Sequence, residues 1–167
     1  MNKPKVYLDT SVISHLEQDD APDKMKDSHI LWEEIKKGRY DVYVSETVIG
    51  EMMGASKEKR TLLAGHLQAI PHAILASNDA VEKYAAKLIE VGVLTQKSYN
   101  DCLHIAHAVV NRCDMILSWN FSHMVRVKTI DGVRYVSSIL GYGKMGIYAP
   151  SMIVERGEVD GKADFKP

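Results

Sequence analysis

Short apolar runs alternate along this chain with longer stretches in which apolar residues return at helical spacing. Val6-Tyr7-Leu8 is an unbroken run of strand formers, the pattern of a strand buried on both faces of a parallel sheet. Tyr40 to Val44 (YDVYV) alternates and is β-rich, predicting a second strand. His72 to Ala76, Met115 to Trp119 and Gly146 to Tyr148 predict three more, the first and last of them short. Helical spacing occupies the intervals. Ile30, Leu31 and Ile35 mark a helix over Ser28 to Lys37, with Gly38 as its C-cap. Ser45 suits the N-cap of a helix running through Glu51 to Met53, which Gly54 ends. Lys57 to Ala69 places Leu62, Leu63 and Leu67 inward, and Asp79 to Val91 aligns Val81, Tyr84, Ala85, Leu88 and Ile89 on one face, closed by Gly92. Ser98 to Asn111 and Val133 to Leu140 complete the helices. The acidic, proline-containing segment Glu17 to Lys26 predicts an exposed loop or a frayed helix end.

Strands alternating with helices over the whole length predict a three-layer α/β domain with a mainly parallel sheet of four to five strands. With 167 residues and no internal repeat or low-complexity linker, one domain over residues 1–154 accounts for the pattern. Residues 155–167 are polar and rich in both charges, an expected mobile tail. The formal charge of −1 argues against a large basic face for non-specific nucleic-acid binding. Nucleic-acid contact, if any, has to come from local patches or bridging cations. Cys102 and Cys113 are too few for a disulfide framework or a zinc ribbon. No apolar run approaches the ~18 residues of a membrane span, and no leader pattern opens the chain. The expected setting is cytoplasmic, with no membrane partner.

The candidate chemistry is carboxylate chemistry. No glycine-rich phosphate loop follows any strand, and no serine sits in a nucleophile elbow. An aspartyl phosphatase would want an acid two residues after Asp9, where this chain has Ser11. What remains is a set of acids at element ends. Asp9 follows the first strand, Glu51 lies in the helix after the second, and Asp101 opens a later helix. Ligands of open parallel sheets bind outside the carboxyl ends of the strands, so an acid at the place of Asp9 suits chemistry better than packing. Each acid also has a plainer reading. Asp9 caps the next helix; Ser98-Tyr99-Asn100-Asp101 forms a capping box; Glu51 is a solvated helix residue, although Val48, Ile49, Met52 and Met53 surround it. His104 and His107, on the helix of Asp101, read as packing or helix-surface residues. Trp119-Asn120-Phe121 reads as core and turn, and Lys57, Lys59 and Arg60 as a solvated helix face.

Taken together, these stretches resemble the PIN-domain family, and more narrowly the VapC-type toxin ribonucleases of bacterial toxin–antitoxin pairs. The matching segments are VYLDTSVIS, VSETVIGEM around Glu51, DCLHIAHAVV from Asp101, CDMILSWNFSHMV around Asn120, and the late GIYAPSMIVE. The resemblance implies a parallel five-stranded sheet between helices and an acidic site that binds Mg²⁺ or Mn²⁺ and cuts RNA. It assigns Asp9, Glu51 and Asp101 to the family's three core acids. Its commoner fourth acid, after the fourth strand, is replaced here by Asn120, an amide that can ligate a cation but brings no charge.

The implied reading is a metal-dependent endoribonuclease. Asp9, Glu51, Asp101 and Asn120 serve as catalytic metal ligands, and Thr10 steadies one of them through its hydroxyl or backbone N–H. RNA is the implied substrate and an antitoxin-like protein the inhibitor, with room for a homodimer. The alternative is a PIN-like module, catalytically weak or inactive, that binds RNA or a protein without cutting. Asn120 and the near-neutral charge favour that alternative. Oxygen ligands from separate elements suit Mg²⁺, which keeps several waters and leaves positions for a phosphate.

Overall fold

The computed structural model describes residues 2–156. Its strands are β1 (Lys5–Leu8), β2 (Asp41–Ser45), β3 (Ala73–Leu75), β4 (Met115–Leu117) and β5 (Gly146–Tyr148). All pair in parallel, in the order β3-β2-β1-β4-β5, so the α/β/α sheet has five strands, the upper end of the four to five that the periodicity predicts and the number that the resemblance implies. β1 is central. Val6 pairs with Val42 on one side and Met115 on the other, and Val6, Tyr7 and Leu8 are fully buried. That burial is why they form an unbroken apolar run instead of an alternating one. β3 is the opposite case, an edge strand whose Ile74 is half exposed.

The chain first builds outward from β1 through β2 to β3, then returns to the other side of β1 for β4 and β5. Parallel crossovers are right-handed, so a reversal of direction moves the connecting helices to the opposite face. Accordingly α1 (Thr10–Ser14), α3 (Glu46–Met53) and α4 (Lys57–Gln68) contact one another, with α2 (Pro22–Lys36) packed on the turn after α1. On the other side α5 (Asp79–Glu90) packs against α6 (Tyr99–Val110) and α7 (Val127–Leu140). The order of strands therefore reverses between β1 and β4. Their carboxyl ends flank the crevice where open α/β sheets bind ligands.

Two helix starts and one side-chain facing differ from what the sequence predicts. α2 begins at Pro22, not Ser28, because proline's fixed φ suits a first helical turn and Asp23 favours its positive end. That turn is polar and solvated, so it carries no apolar signal. α7 begins six residues before the expected Val133, at Val127; its first turn exposes Val127 and buries Thr129, which inverts the usual polarity. In α4, Leu63 and Leu67 face inward as expected, but Leu62 is half exposed. Gly38 and Gly92, at φ +80° and +77°, end α2 and α5 in the left-handed conformation that the sequence assigns to them. The expected polar tail starts docked: Arg39 pairs with Glu155 at 2.8 Å and Arg156 with the buried Asp27 at 2.7 Å. The rest of that segment lies outside the described residues. No described helix is long and apolar enough to cross a membrane.

His107 fits the packing reading fully. It is wholly buried on α6, its ring stacks parallel to that of Tyr7, and neither ring nitrogen has a hydrogen-bond partner. Burial first, and the neighbouring His104 second, hold its pKa below the ordinary histidine value. An orphaned buried polar group costs about 1–3 kcal/mol. His107→Leu should therefore stabilise the fold at pH 7 by about 1 kcal/mol, or roughly 2–4 °C in melting temperature. As pH falls below about 6.5 the unfolded histidine protonates before the folded one, so the parent loses stability there that the variant keeps. Melts of both proteins from pH 8 to pH 5 check this. A variant less stable than the parent, with the same pH slope, contradicts it.

Candidate metal centre

Asp9 leaves β1 at the strand's carboxyl end, where its N–H donates to the Leu117 carbonyl of β4 at 3.2 Å. It is the N-cap of α1 and almost wholly buried. Its Oδ1 accepts from the Ser11 N–H (3.0 Å) and the Ser11 hydroxyl (2.5 Å), and its Oδ2 from the Ser118 hydroxyl (2.5 Å). Ser118 Oγ in turn accepts from the Asn120 N–H at 3.0 Å, and Ser11 Oγ from the Trp119 N–H at 2.8 Å. One carboxylate thus ties the turn after β1 to the turn after β4. The capping reading of Asp9 is correct, and capping engages only part of its acceptor capacity.

Glu51 projects from the second turn of α3. Its Oε1 accepts from the Thr10 hydroxyl at 3.1 Å and from His104 Nε2. Thr10 therefore steadies a neighbouring acid, as the sequence suggests. Asp101, in the first turn of α6, pairs through Oδ2 with His123 Nδ1 at 2.9 Å. The expected capping box is not formed. Ser98 is the N-cap, but its hydroxyl makes no cap bond and lies 3.4 Å from His123 Nδ1. Asn120 accepts the His123 N–H on Oδ1 at 3.0 Å, so its side chain orders the turn that carries that histidine.

These contacts close a ring at the carboxyl edge of the sheet. Asp9 leads through Ser118 to Asn120, and Asn120 through His123 to Asp101. One turn along α6, His104 leads to Glu51, and Glu51 through Thr10 back to the neighbour of Asp9. No hydrogen bond joins any two of the four candidates directly; serine, threonine and histidine join them. Ser11, Ser118 and His123 are members to which the sequence assigns no role at the site, and His104, which reads from sequence as a packing or helix-surface residue, belongs to the site through Glu51. The one legible signal was His104, placed three residues after Asp101 and so on the same helix face.

The electrostatics set the two inner acids apart. Burial raises the pKa of Asp9, and the charge of Asp101 adds to the rise, against His104 and the two serine hydroxyls, which lower it. Burial also pushes Glu51 up, but the bonds and charge of His104, with the Thr10 bond, outweigh it and leave Glu51 below its ordinary value. Glu51 thus favours its ionised form, while burial disfavours the ionised form of Asp9.

Among the described residues, no three His, Cys, Asp or Glu side chains already stand in ion-holding positions. Serine, threonine and histidine donors instead hold one or both oxygens of each acid, and the fourth candidate is an amide. The donor set nevertheless fits a hard cation: every candidate offers oxygen, and Glu51 Oε2 and Asp101 Oδ1 accept no hydrogen bond among the described residues.

No curated protein matches the chain. Among solved structures, VapBC-1 from nontypeable Haemophilus influenzae aligns at 14% identity and TM-score 0.56, covering 88% of this chain and 98% of that one. VapBC2 from Rickettsia felis, bound to a DNA fragment from their promoter, aligns at 17% identity and TM-score 0.52, covering 70% of this chain and 89% of that one. Likenesses at this identity speak for the fold. Residues 6–120 match the PIN domain, a span that runs from β1 through Asp9, Glu51 and Asp101 to Asn120, and the chain belongs to that family.

Proposed function

We propose that this protein is a metal-dependent endoribonuclease, the toxin of a toxin–antitoxin pair, hydrolysing RNA phosphodiester bonds with Mg²⁺ or Mn²⁺. The observation that carries the reading is the ring of Asp9, Glu51, Asp101 and Asn120 at the switch point of a PIN-domain sheet. Folding gives no reason to gather three carboxylates from β1, α3 and α6, since like charges raise one another's pKa. A divalent cation gives one. Two structural neighbours are VapBC assemblies, which supports an antitoxin-like inhibitor as the partner.

Asp9, Glu51, Asp101 and the Asn120 amide oxygen would hold the ion. Bound there, it supplies positive charge to the phosphate in the transition state and acidifies the attacking water. The protein's own groups do the rest. Glu51, held ionised by His104 and Thr10, keeps one oxygen free. Asp9 is pinned by Ser11 and Ser118, so its carboxylate is preorganised where the raised pKa makes neutralisation most favourable. Lys24, with Nζ 5.4 Å from the Phe121 ring centroid, supplies a cation beside the Asn120 turn for a phosphate of the strand. A second reading, a PIN module that binds without cutting, is favoured by one observation: Asn120 adds no charge and already accepts the His123 N–H. Incubation of the purified protein with structured RNA and Mn²⁺ or EDTA separates the two, since only the nuclease gives metal-dependent cleavage.

Asp101→Asn should lower RNA cleavage by about 100-fold or more, beyond the 10–100-fold typical of losing an outer-shell partner. The fold should stay intact, as asparagine is tolerated near a helix N-terminus. Cleavage of a labelled RNA at matched Mn²⁺, with circular dichroism as the folding control, checks it; equal cleavage by variant and parent points to a purely structural Asp101.

Metal should also stabilise the native state. At about 100 times its dissociation constant the ion adds ~2.7 kcal/mol, roughly 5–10 °C for a domain of this size. Asp9→Asn should melt slightly higher than the parent in EDTA. A folded-state pKa above the unfolded one means that stability is lost as pH rises through it, and the substitution removes that loss. The same substitution should erase most of the Mn²⁺-induced rise. Thermal melts in EDTA and across a Mn²⁺ series decide; a parent that shifts no more than the variant removes the metal site.

A further inference from the structure

Two histidines on one face of α6, three residues apart and equally deep, are treated oppositely by their surroundings. His107 has no partner on either nitrogen. His104, only 2% exposed, is tethered at both: Nε2 to Glu51 Oε1, and Nδ1 to the Tyr7 hydroxyl at 2.7 Å. The Tyr7 hydroxyl then meets Ser45 Oγ at 2.6 Å, and both residues are fully buried. Ser45 is the N-cap of α3, yet its hydroxyl makes no cap bond and is turned toward Tyr7 instead. A capping hydroxyl diverted into a buried chain, beside a histidine with both nitrogens filled, is more than packing requires.

We propose that His104 is the positioning residue for Glu51, and that Tyr7 and Ser45 hold His104 so that Glu51 presents Oε2 alone, as a single-oxygen ligand, to a divalent cation. The inference rests on the metal reading of the site and deepens it. An ionised carboxylate can only accept, so the proton of the His104–Glu51 bond belongs to Nε2. The Tyr7 hydroxyl serves Nδ1 in either ring state, donating to the neutral imidazole and accepting from the charged one. The orientation of the ring therefore does not depend on its charge. With His104 and Thr10 both on Oε1, the carboxylate cannot turn to chelate through both oxygens. The chain also sets distance. Tyr7 lies two residues before Asp9 on β1, and Ser45 ends β2, the strand paired to it. Glu51 is thereby referenced to the strand that carries Asp9, although it stands on a separate helix. Outer partners of this kind orient ligands and tune affinity.

The test is isothermal titration of the full chain with Mn²⁺ alone, for the parent, His104→Leu, His104→Gln and Tyr7→Phe. His104→Leu should bind about 10–100-fold more weakly. His104→Gln should recover most of the loss, since its amide N–H can reach Glu51. Tyr7→Phe, which keeps the buried ring and removes only the hydroxyl, should show a smaller, several-fold loss. In the metal-free parent, ¹⁵N spectra should show the His104 Nε2 proton in slow exchange, and Tyr7→Phe should speed that exchange. Parent-like affinity in folded His104→Leu overturns the inference while leaving the metal site standing. Should His104→Leu not fold, parent-like affinity and exchange in Tyr7→Phe overturn it equally. A parent that binds no Mn²⁺ removes the metal reading itself, and this inference with it.

Discussion

The buried carboxylate of Asp9 is the contact on which the arrangement depends. Folding places it between the carboxyl ends of β1 and β4, almost without access to water, and a charge there is costly unless it is hydrogen-bonded. Ser11 and Ser118 supply those bonds, and in doing so they fix the two turns that bear the rest of the site. The turn after β4 then delivers Asn120 and His123, and His123 reaches Asp101 on α6. Solvation of one acid has become the geometry of four residues. The residual cost persists in the raised pKa of Asp9, a strain that a cation would relieve.

The same constraint explains why the sheet is so apolar at its centre and so polar at one edge. β1 is paired on both sides and wholly buried from Val6 to Leu8, and in that stretch the one polar side-chain group before Asp9 is the Tyr7 hydroxyl. That hydroxyl is not left unmet. It links the end of β2 to His104 and, through it, to Glu51. Polar groups inside a low-dielectric core are acceptable as a satisfied chain, and such chains specify one arrangement. His107, one turn along the same helix, shows the contrasting case of a ring tolerated for its shape alone.

Much of the fold was legible because central strands and amphipathic helices write their burial directly into residue order. The run Val6-Tyr7-Leu8 and the stripe Val81, Tyr84, Ala85 and Leu88 needed no partner to be read. The starts of α2 and α7 were not legible, because their first turns are held by proline geometry and by the buried Thr129, which leave no apolar period. The candidate acids stood out as charges at element ends, while the groups joining them did not. Serine after a strand and histidine on a helix are ordinary residues until topology brings residues 9, 118 and 120, or 51 and 104, together. The capping box at Ser98 failed for a related reason: His123, distant in sequence, took the carboxylate that a local motif would have used.

The central claim is that Asp9, Glu51, Asp101 and Asn120 form one oxygen-ligand site for a divalent cation. The most direct measurement is anomalous diffraction at the manganese edge from crystals soaked in Mn²⁺. The account predicts a single strong peak within ligand distance, about 2.0–2.3 Å, of oxygens from Asp9, Glu51 and Asp101, with Asn120 as the fourth side chain beside it. An empty crevice at saturating Mn²⁺, with no peak within ligand distance of these oxygens, would contradict it.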